Sequence, residues 1–451
     1  MRGLATVLTA CAVALLFSIG GLNAAGEDFV AVKGTQFVIA DQPYRFVGVN
    51  LWYGAYLGAS APYGDRERLV AELDALKALG IDNLRVLGGS EKSPFKRSLR
   101  ETFRDGTAAY NEDLLQGLDF LLAEMRKREM RAVIYLNNFW EWSGGMGTYL
   151  YWTNGGTFVD LGDPAHPWPE FQSATAKFYE NAAAKASYRD YVRAVLSRVN
   201  TITGVRYSDD PTIMAWQLAN EPRPSAEAAE GSAELQVFYA WIDETAAFIK
   251  SLDANHLVSS GNEGFMGCNE IESCFSNAHR APSLDYLTFH LWPRNWGWID
   301  PGRPEQTFEE AVNRAADYVA VHVEMARSLG KPVVLEEFGL DRDGEALTPG
   351  SPATYRDALM KSIYSFVEAD AGAGGPLAGT NVWSWGGVGR AEHADFEWRA
   401  GDTAFTGDPP QEPQGRNSIF DADSSTLAVM RAHAQRLKQM TDSRRDKTGV
   451  D

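Results

Sequence analysis

Eight short apolar runs, which alternate with segments of helical spacing, constrain the fold of this chain more than any other feature. Continuous apolar runs of this length predict strands that are buried on both faces, and the residues between them predict amphipathic helices. Eight such units predict a parallel sheet that closes into a (β/α)₈ barrel, also called a TIM barrel. The predicted strands are 44–50, 82–87, 131–137, 213–220, 256–261, 286–291, 332–338 and 380–385.

The segments around these strands complete the predicted architecture. An N-terminal β-hairpin that turns at Lys33-Gly34 is expected over residues 29–39. Gly80 and Gly330 occupy positions where helix C-caps are expected. With 451 residues for eight units, the βα loops must be long. The predicted helices are 66–79, 111–128, 188–199, 233–252, 307–329, 355–368 and 424–440.

An open, doubly wound sheet is the alternative fold. Such a sheet normally carries a glycine-rich phosphate-binding turn after its first strand. Residues 48–52 of this chain are Gly-Val-Asn-Leu-Trp, which is no such turn. No low-complexity linker divides residues 26–451, so we expect them to form a single domain.

The first 25 residues have the pattern of a signal peptide. Arg2 supplies a positive start, an apolar run covers residues 4–19, and small residues follow up to Ala25. The run is short for a membrane span, although a retained signal anchor is the alternative. We therefore expect the protein to be secreted, to the extracellular space or a periplasm, without stable membrane association once the peptide is removed.

Cys268 and Cys274 are the only cysteines beyond this segment, and both lie in one polar loop. In an exported protein, two cysteines this close favour a local disulfide. Metal ligation is the weaker alternative, since no histidine or further cysteine stands beside them.

The charge balance excludes one class of partner. The net charge is −18 and the sequence pI is about 4.9, with no run of Lys or Arg. Nucleic acid would be repelled by such a surface, whereas a neutral substrate would not. No metal-binding or cofactor motif is found, so we expect no metal and no cofactor, and we expect a monomer.

The predicted strand ends carry polar and aromatic residues. Barrel enzymes place their catalytic groups at the carboxyl ends of the strands, so these residues are candidates for a site. Thirteen Trp residues are more than a core of this size usually requires, and flat indole faces suit sugar rings. The candidates outside the glutamate pair are Trp52, Arg85, Asn138, Trp140, Asn220, Glu263, His290, Trp292 and Trp383.

Two strand-end glutamates form the strongest candidate pair. Glu221 ends the fourth predicted strand and Glu337 ends the seventh, so they face each other across the barrel mouth. Retaining glycosidases use two carboxyl groups about 5–5.5 Å apart, one as proton donor and one as nucleophile. Strand alternation should point Glu336 and Glu337 to opposite faces, and the residues alone do not decide which points inward.

At these positions the chain resembles glycoside hydrolase family 5, and most closely its endo-β-1,4-mannanase branch. The resemblance extends along nearly all of residues 26–451. Asn-Glu-Pro alone is only moderately specific, but the ordered set of motifs at strand ends is specific. The motifs are Phe-Val-Gly-Val-Asn-Leu-Trp-Tyr at 46–53, Asn-Leu-Arg-Val at 83–86, Leu-Asn-Asn-Phe-Trp at 136–140, Trp-Gln-Leu-Ala-Asn-Glu-Pro-Arg at 216–223, Glu-Glu-Phe-Gly at 336–339 and Asp-Pro-Pro-Gln-Glu-Pro-Gln-Gly at 408–415.

The resemblance implies a role for each matching residue. Glu221 would be the acid/base and Glu337, directly before Phe-Gly, would be the nucleophile. Asn220 would bond the 2-hydroxyl of the sugar in subsite −1. Arg85 would keep the nucleophile ionised, as a nearby cation lowers a carboxyl pKa.

The resemblance also implies roles for ring-bearing residues. His290 would contact the reacting sugar or the acid/base, and Trp383 would form the floor of subsite −1. Trp292 departs from the family pattern, in which a Tyr often stands two residues after this His. An indole can donate a hydrogen bond but cannot accept one, so the role of Trp292 is open.

The sequence thus predicts a secreted retaining endo-β-1,4-mannanase that acts on mannan, glucomannan or galactomannan. A related β-1,4-glucanase or a mannosyl transferase is the alternative within the same class. A non-catalytic carbohydrate-binding barrel is less favoured, because both carboxylates are present.

Overall fold

The structure is a computed structural model that describes residues 28–448, so the predicted signal peptide lies outside the described residues. Its strands match the predicted positions closely, with three additional short strands, one after the N-terminal hairpin and two after the last barrel strand. They are β1 Ala31–Lys33, β2 Gln36–Ile39, β3 Gln42–Tyr44, β4 Phe46–Asn50, β5 Asn83–Leu87, β6 Arg131–Tyr135, β7 Ile213–Gln217, β8 Leu257–Ser259, β9 Leu287–Leu291, β10 Val333–Phe338, β11 Leu377–Val382, β12 Trp385–Gly387 and β13 Ile419–Phe420.

The helices surround these strands, and four short ones in the loops were not predicted: α1, α4, α5 and α8. Within residues 28–448, none of the helices combines the length with the apolar character that a membrane crossing requires. The helices are α1 Gly54–Gly58, α2 Arg66–Leu79, α3 Glu112–Lys127, α4 Gly145–Thr153, α5 Trp168–Ala176, α6 Ala182–Leu196, α7 Ala233–Leu252, α8 Glu272–Ala278, α9 Pro304–Leu329, α10 Thr354–Ala373 and α11 Ser424–Thr448.

The predicted (β/α)₈ barrel is confirmed. Strands β4 to β11 form one parallel eight-stranded sheet in the order β8-β7-β6-β5-β4-β11-β10-β9. Hydrogen bonds link the two edges, from Asp285 N to Val258 O at 2.8 Å and from His290 N to Glu263 O at 3.0 Å. The barrel is therefore nearly closed, and its strand ends meet at one mouth.

Local chemistry accounts for the helix ends. Helices α2 and α7 match the predictions residue for residue, and the Asp65 side chain caps α2 by accepting from Arg68 N. Gly80 ends α2 with φ at 87°, as predicted for a left-handed C-cap. Helix α6 begins six residues earlier than predicted, because Asn181 accepts from Ala184 N and supplies an N-cap.

The N-terminal sheet closes the opposite end of the barrel. Strands β1, β2 and β3 pair antiparallel. Phe37, Tyr44 and Phe46 pack there with Tyr286 and the lower barrel side chains as a separate buried cluster. The bottom of the barrel is therefore packed with side chains, and the opposite mouth is left for chemistry.

Strand β10 departs from regular alternation. Its register against β9 shifts between Leu335 and Glu337. Both Glu336 and Glu337 consequently reach Arg85, at 3.5 and 2.6 Å. The expectation that they point to opposite faces is wrong, because a bulge of this kind redirects the side chains that follow it.

The predicted disulfide is also wrong for this structure. Cys268 lies in a 3₁₀ turn and Cys274 in α8, and both are buried free thiols. Burial, followed by the neighbouring thiol of Cys274, raises the pKa of Cys268.

Candidate active site

A cleft of about 600 Å³ opens at the carboxyl ends of the barrel strands. Its walls are formed by aromatic and polar side chains from the ends of β6, β7, β8, β9, β10 and β11. Five of the predicted site residues line it together with the two glutamates. These are Trp140, Asn220, Glu263, Trp292 and Trp383. His290 is buried beneath the cleft, in contact with Glu221 and Glu337.

Glu221 and Glu337 face each other in this cleft. One carboxylate oxygen from each and one ring nitrogen of His290 lie within 4.8 Å of one another. The two residues are only 5% and 3% exposed. Glu221 has φ at 49°, a conformation that a Glu adopts only when its surroundings hold it, here partly through its N–H bond to Gly261 O at 2.9 Å.

Arg85 lies under the cleft with no solvent exposure and ties Glu337 to its neighbours. Its Nη1 donates to Glu337 Oε1 at 2.6 Å and its Nη2 donates to Asn220 Oδ1 at 2.7 Å. Its Nε donates to Gln217 Oε1 at 2.8 Å. A buried guanidinium therefore sets the geometry of both Glu337 and Asn220 without lining the cleft itself.

His290 contacts both carboxylates. Its Nδ1 lies 2.5 Å from Glu221 Oε1 and 3.4 Å from Glu337 Oε2. Burial lowers the pKa of His290 to about 4, although Glu221 opposes that shift. The ring is therefore neutral near pH 7 and carries a single proton.

Trp140 does more than provide a flat face. Its indole N–H donates to Glu221 Oε2 at 2.5 Å. Its ring stacks on Trp168, with centroids 5.1 Å apart and planes 22° apart. The stack fixes the indole, and the indole in turn orients the carboxylate.

The two carboxyl groups have opposite pKa shifts. Burial raises the pKa of Glu337, the charge of Arg85 opposes the rise, and the charge of Glu221 adds to it. Burial also acts to raise the pKa of Glu221, but His290, Arg223 and the Trp140 N–H together lower it to about 2. Two carboxyl groups this close titrate as a coupled pair, in two steps. Between the two steps the pair holds a single proton.

The remaining cleft residues form its floor and one wall. Trp383 and Trp292 meet edge to face, with centroids 6.4 Å apart. Glu263 forms an ion pair with Arg223, and both are cleft residues. Glu263 is thus engaged by a cation rather than left open for a sugar.

Two predicted substrate-binding residues are buried away from the cleft. Trp52 has no exposed surface, and its Nε1 donates to Gly407 O at 2.7 Å. Asn138 is also fully buried, and its Oδ1 accepts from Asn220 Nδ2 at 3.2 Å. The assignment of both as substrate contacts is wrong, because later segments of the chain cover Trp52, and Asn138 instead holds Asn220 and the backbone N–H of Trp140.

Several cleft residues were not found from the sequence. They belong to loops, where period and strand position give no signal. Arg223, Gln411 and Glu412 fall within motifs that resemble the family, but no site role was assigned to them. A Trp preceded by Pro at the start of a helix could have pointed to Trp168. The missed residues are Trp142, Trp168, Gln172, Arg223, Met266, Asn269, Asn295, Trp296, Gln411 and Glu412.

A (β/α)₈ barrel with two close carboxyl groups at its strand ends and aromatic cleft walls is the architecture of a glycoside hydrolase. A family model described as glycoside hydrolase family 5 beta-mannosidase-like matches residues 27–442. The chain therefore belongs to glycoside hydrolase family 5 and is a glycoside hydrolase.

Individual relatives agree with this assignment. Mannan endo-1,4-beta-mannosidase 7 from Arabidopsis thaliana is 33% identical over 367 residues, covering 79% of this chain and 77% of that protein. A family 5 mannosidase from Rhizomucor miehei superposes with a TM-score of 0.83 at 32% identity, covering 92% of this chain and 99% of that one. An endo-1,4-beta-mannanase from the same fungus has a TM-score of 0.66 at 25% identity, with coverages of 91% and 100%.

Proposed function

We propose that the protein hydrolyses β-1,4-mannosidic bonds with retention of anomeric configuration. The observation that carries this is the separation of Glu221 and Glu337, whose oxygens lie within 4.8 Å of each other. Inverting enzymes hold their carboxyl groups about 6.5–9.5 Å apart to admit a water molecule between them. The shorter spacing suits direct attack on the anomeric carbon.

Glu337 is the nucleophile in this proposal. Its Oε1 accepts from the Arg85 guanidinium, which favours the ionised form and fixes its direction. Attack on the anomeric carbon forms a glycosyl–Glu337 ester and breaks the bond to the leaving oxygen. Water then cleaves the ester from the same face that the leaving group occupied, so two inversions give retention.

Glu221 is the acid/base. It gives a proton to the leaving oxygen in the first step and takes one from water in the second. In the empty cleft the contacts of Glu221 favour its ionised form, and those of Glu337 favour its protonated form. The acid role requires the proton of the pair on Glu221, so the proton has to move there by the time the leaving oxygen arrives. His290 Nδ1 contacts both carboxylates and lies on the path between them.

The substrate class rests on the relatives. Curated proteins of similar length are named as mannan endo-1,4-beta-mannosidases, which supports mannan, glucomannan or galactomannan as substrate and internal bonds as the site of cleavage. The Rhizomucor miehei protein with a TM-score of 0.83 is named a mannosidase, which supports a mannoside as the substrate. β-1,4-Glucan hydrolysis and mannosyl transfer remain outcomes that product analysis distinguishes.

Secretion is part of the same proposal, since a mannan polymer is an extracellular substrate. It is supported by residues 1–25 alone. N-terminal sequencing of protein recovered from a culture medium should find a start near residue 26. Recovery of intact Met1 in the cell pellet would contradict it.

The test of the mechanism uses Glu337→Ala and Glu221→Ala with azide as an added nucleophile. Each substitution should lower turnover of mannohexaose by several orders of magnitude, because no other group can make or break the ester. With 4-nitrophenyl β-mannoside, whose leaving group departs without a proton, azide should rescue Glu337→Ala with an α-mannosyl azide product and Glu221→Ala with a β-mannosyl azide product. Glu397→Ala, an exposed acid on the same side of the barrel, serves as the control.

Wild-type turnover in both glutamate variants would refute the proposal. The same azide anomer from both variants would refute the assignment of the two roles.

A further inference from the structure

The cleft is open on one side of the glutamate pair and closed on the other. Among residues 28–448, its lining comes from segments that follow β6 to β11 and includes none from the segments that follow β4 and β5. The aromatic residues after β4 are covered, since Trp52, Tyr53 and Tyr56 are at most 1% exposed. Another part of the chain therefore covers the barrel mouth above β4 and β5.

That part of the mouth is occupied by residues 388–418, which we call the covering segment. Phe405 stacks on Tyr53 with centroids 5.6 Å apart and meets Trp52 edge to face at 5.6 Å. The carbonyl of Phe405 accepts from Arg68 Nη2 at 2.7 Å, and that of Gly407 accepts from Trp52 Nε1 at 2.7 Å. The segment is packed into the barrel mouth as part of the core.

The tip of the covering segment is held by its own polar groups. Asp408 is fully buried and accepts from the backbone N–H groups of Gly415 at 2.7 Å and Asn417 at 2.8 Å. Gln414 Nε2 lies 3.2 Å from the carbonyl of Pro409 and 3.1 Å from that of Glu412. Because these bonds close the tip on itself, the tip presents a fixed wall to the cleft.

The positions and roles of the two glutamates determine which end of a sugar chain meets this wall. The acid/base protonates the leaving oxygen, so the leaving sugar lies beyond Glu221, toward Arg223 and Trp168. The attacked sugar lies over Trp383 and beside Glu337. A sugar attached to the 4-oxygen of that attacked unit would extend away from Glu221, toward the covering segment.

The wall carries hydrogen-bonding groups at that place. Gln411 and Glu412 both line the cleft. Gln411 Oε1 is buried and has no hydrogen-bond partner among the described residues. Glu412 Oε2 accepts from Asn417 Nδ2 at 3.1 Å, which holds that carboxylate in place. Acceptors of this kind suit the free hydroxyl groups of a terminal sugar, and an unmet buried acceptor is costly.

We propose that the covering segment ends the cleft behind the attacked sugar, so that the enzyme releases single mannosyl units from the non-reducing end. In this arrangement Gln411 and Glu412 recognise the hydroxyl groups of the terminal unit, and the leaving chain extends into the open side. An internal unit would carry a further sugar where the wall stands. The inference rests on the proposed mannosidic activity. It differs in assigning cleavage to the ends of the mannan chain instead of to its internal bonds.

The test follows the first products formed from mannohexaitol, whose reduced end marks its direction. The expected first products are mannose and mannopentaitol, with little loss of viscosity when polymeric mannan is the substrate. Mannobiose or mannotriose as first products, or a rapid loss of viscosity, would overturn the inference while leaving the proposed activity intact. Absence of hydrolysis of any mannoside, including 4-nitrophenyl β-mannoside, would overturn the activity itself.

Two variants test the wall directly. Gln411→Ala should raise KM for 4-nitrophenyl β-mannoside about 3- to 10-fold, and Glu412→Ala should raise it about 10- to 100-fold, the usual range for neutral and charged hydrogen bonds. The kcat of both should change less than KM, because neither residue touches the reacting atoms. Glu397→Ala, in the same segment but exposed, is the matched control. An unchanged KM in both wall variants, with their melting temperatures intact, would refute the recognition role.

Discussion

Arg85 offers the sharpest test of how the site works. Arg85→Lys keeps the positive charge and removes the planar fork that reaches Glu337 and Asn220 together, at 2.6 and 2.7 Å. A single ammonium group can keep only one of these two contacts in place. Loss of one charge-assisted hydrogen bond costs about 1.5–3 kcal/mol. At about 1.4 kcal/mol for each factor of ten in rate, kcat/KM should fall about 10- to 150-fold.

Arg85→Met removes the charge as well and should be more damaging. Without the cation, the pKa of Glu337 rises further, so the acidic limb of the kcat/KM profile moves to higher pH and activity partly recovers in alkaline buffer. Two buried acids also lose their counter-charge, and breaking such a buried pair costs about 3–5 kcal/mol of stability. The measurements are kcat/KM for 4-nitrophenyl β-mannoside from pH 4 to pH 9, with urea unfolding in parallel.

Arg104→Lys is the matched control, because Arg104 is equally buried but bonds to Ser187 instead of the cleft. It should lose stability without moving the pH profile. The reasoning about Arg85 would be refuted by a Lys variant with wild-type kcat/KM, or by a Met variant whose acidic limb stays in place.

Three further predictions test separate parts of the structure. Trp140→Phe keeps the stack on Trp168 but removes the N–H bond to Glu221, so the pKa of Glu221 should rise. The limb of the kcat/KM profile that reports Glu221 should then move to higher pH. A limb that stays in place would contradict a role for this hydrogen bond. Burial raises the pKa of Asp82 to about 7 in the folded protein, so this group makes the fold less stable as pH rises from about 4 to 7. Asp82→Asn should therefore raise the melting temperature more at pH 8 than at pH 5, and an equal change at both pH values would disprove the coupling. Thiol titration should find Cys268 and Cys274 unreactive in the native protein and both reactive after unfolding, whereas a peptide map that shows them joined would contradict the free thiols.

The barrel itself could be predicted from the sequence, because its signal is local. Each strand is a continuous apolar run and each long helix has apolar residues at regular spacing, so neither depends on what it packs against. Helices α2 and α7 match the expectation residue for residue for this reason. The short helices α1, α4, α5 and α8 were missed, because they lie in loops whose conformation depends on their neighbours.

The candidate site could be predicted where its residues stand at the ends of barrel strands. Glu221, Glu337, Asn220 and Trp383 stand at strand ends, where the fold alone brings them to one mouth. The orientation of Glu336 relative to Glu337 was predicted wrongly, because the register shift in β10 depends on pairing with β9.

The sequence by itself determined the barrel, the glutamate pair and the likeness to one family of glycoside hydrolases. Only the tertiary structure decided what the aromatic residues do. Trp140 and Trp383 are in the cleft, while Trp52, at an equivalent strand end, is buried under Phe405 and Gly407. Those two residues lie more than 350 positions later in the chain. A contact over that separation leaves no periodic trace in the sequence, and it is the contact that closes one side of the cleft.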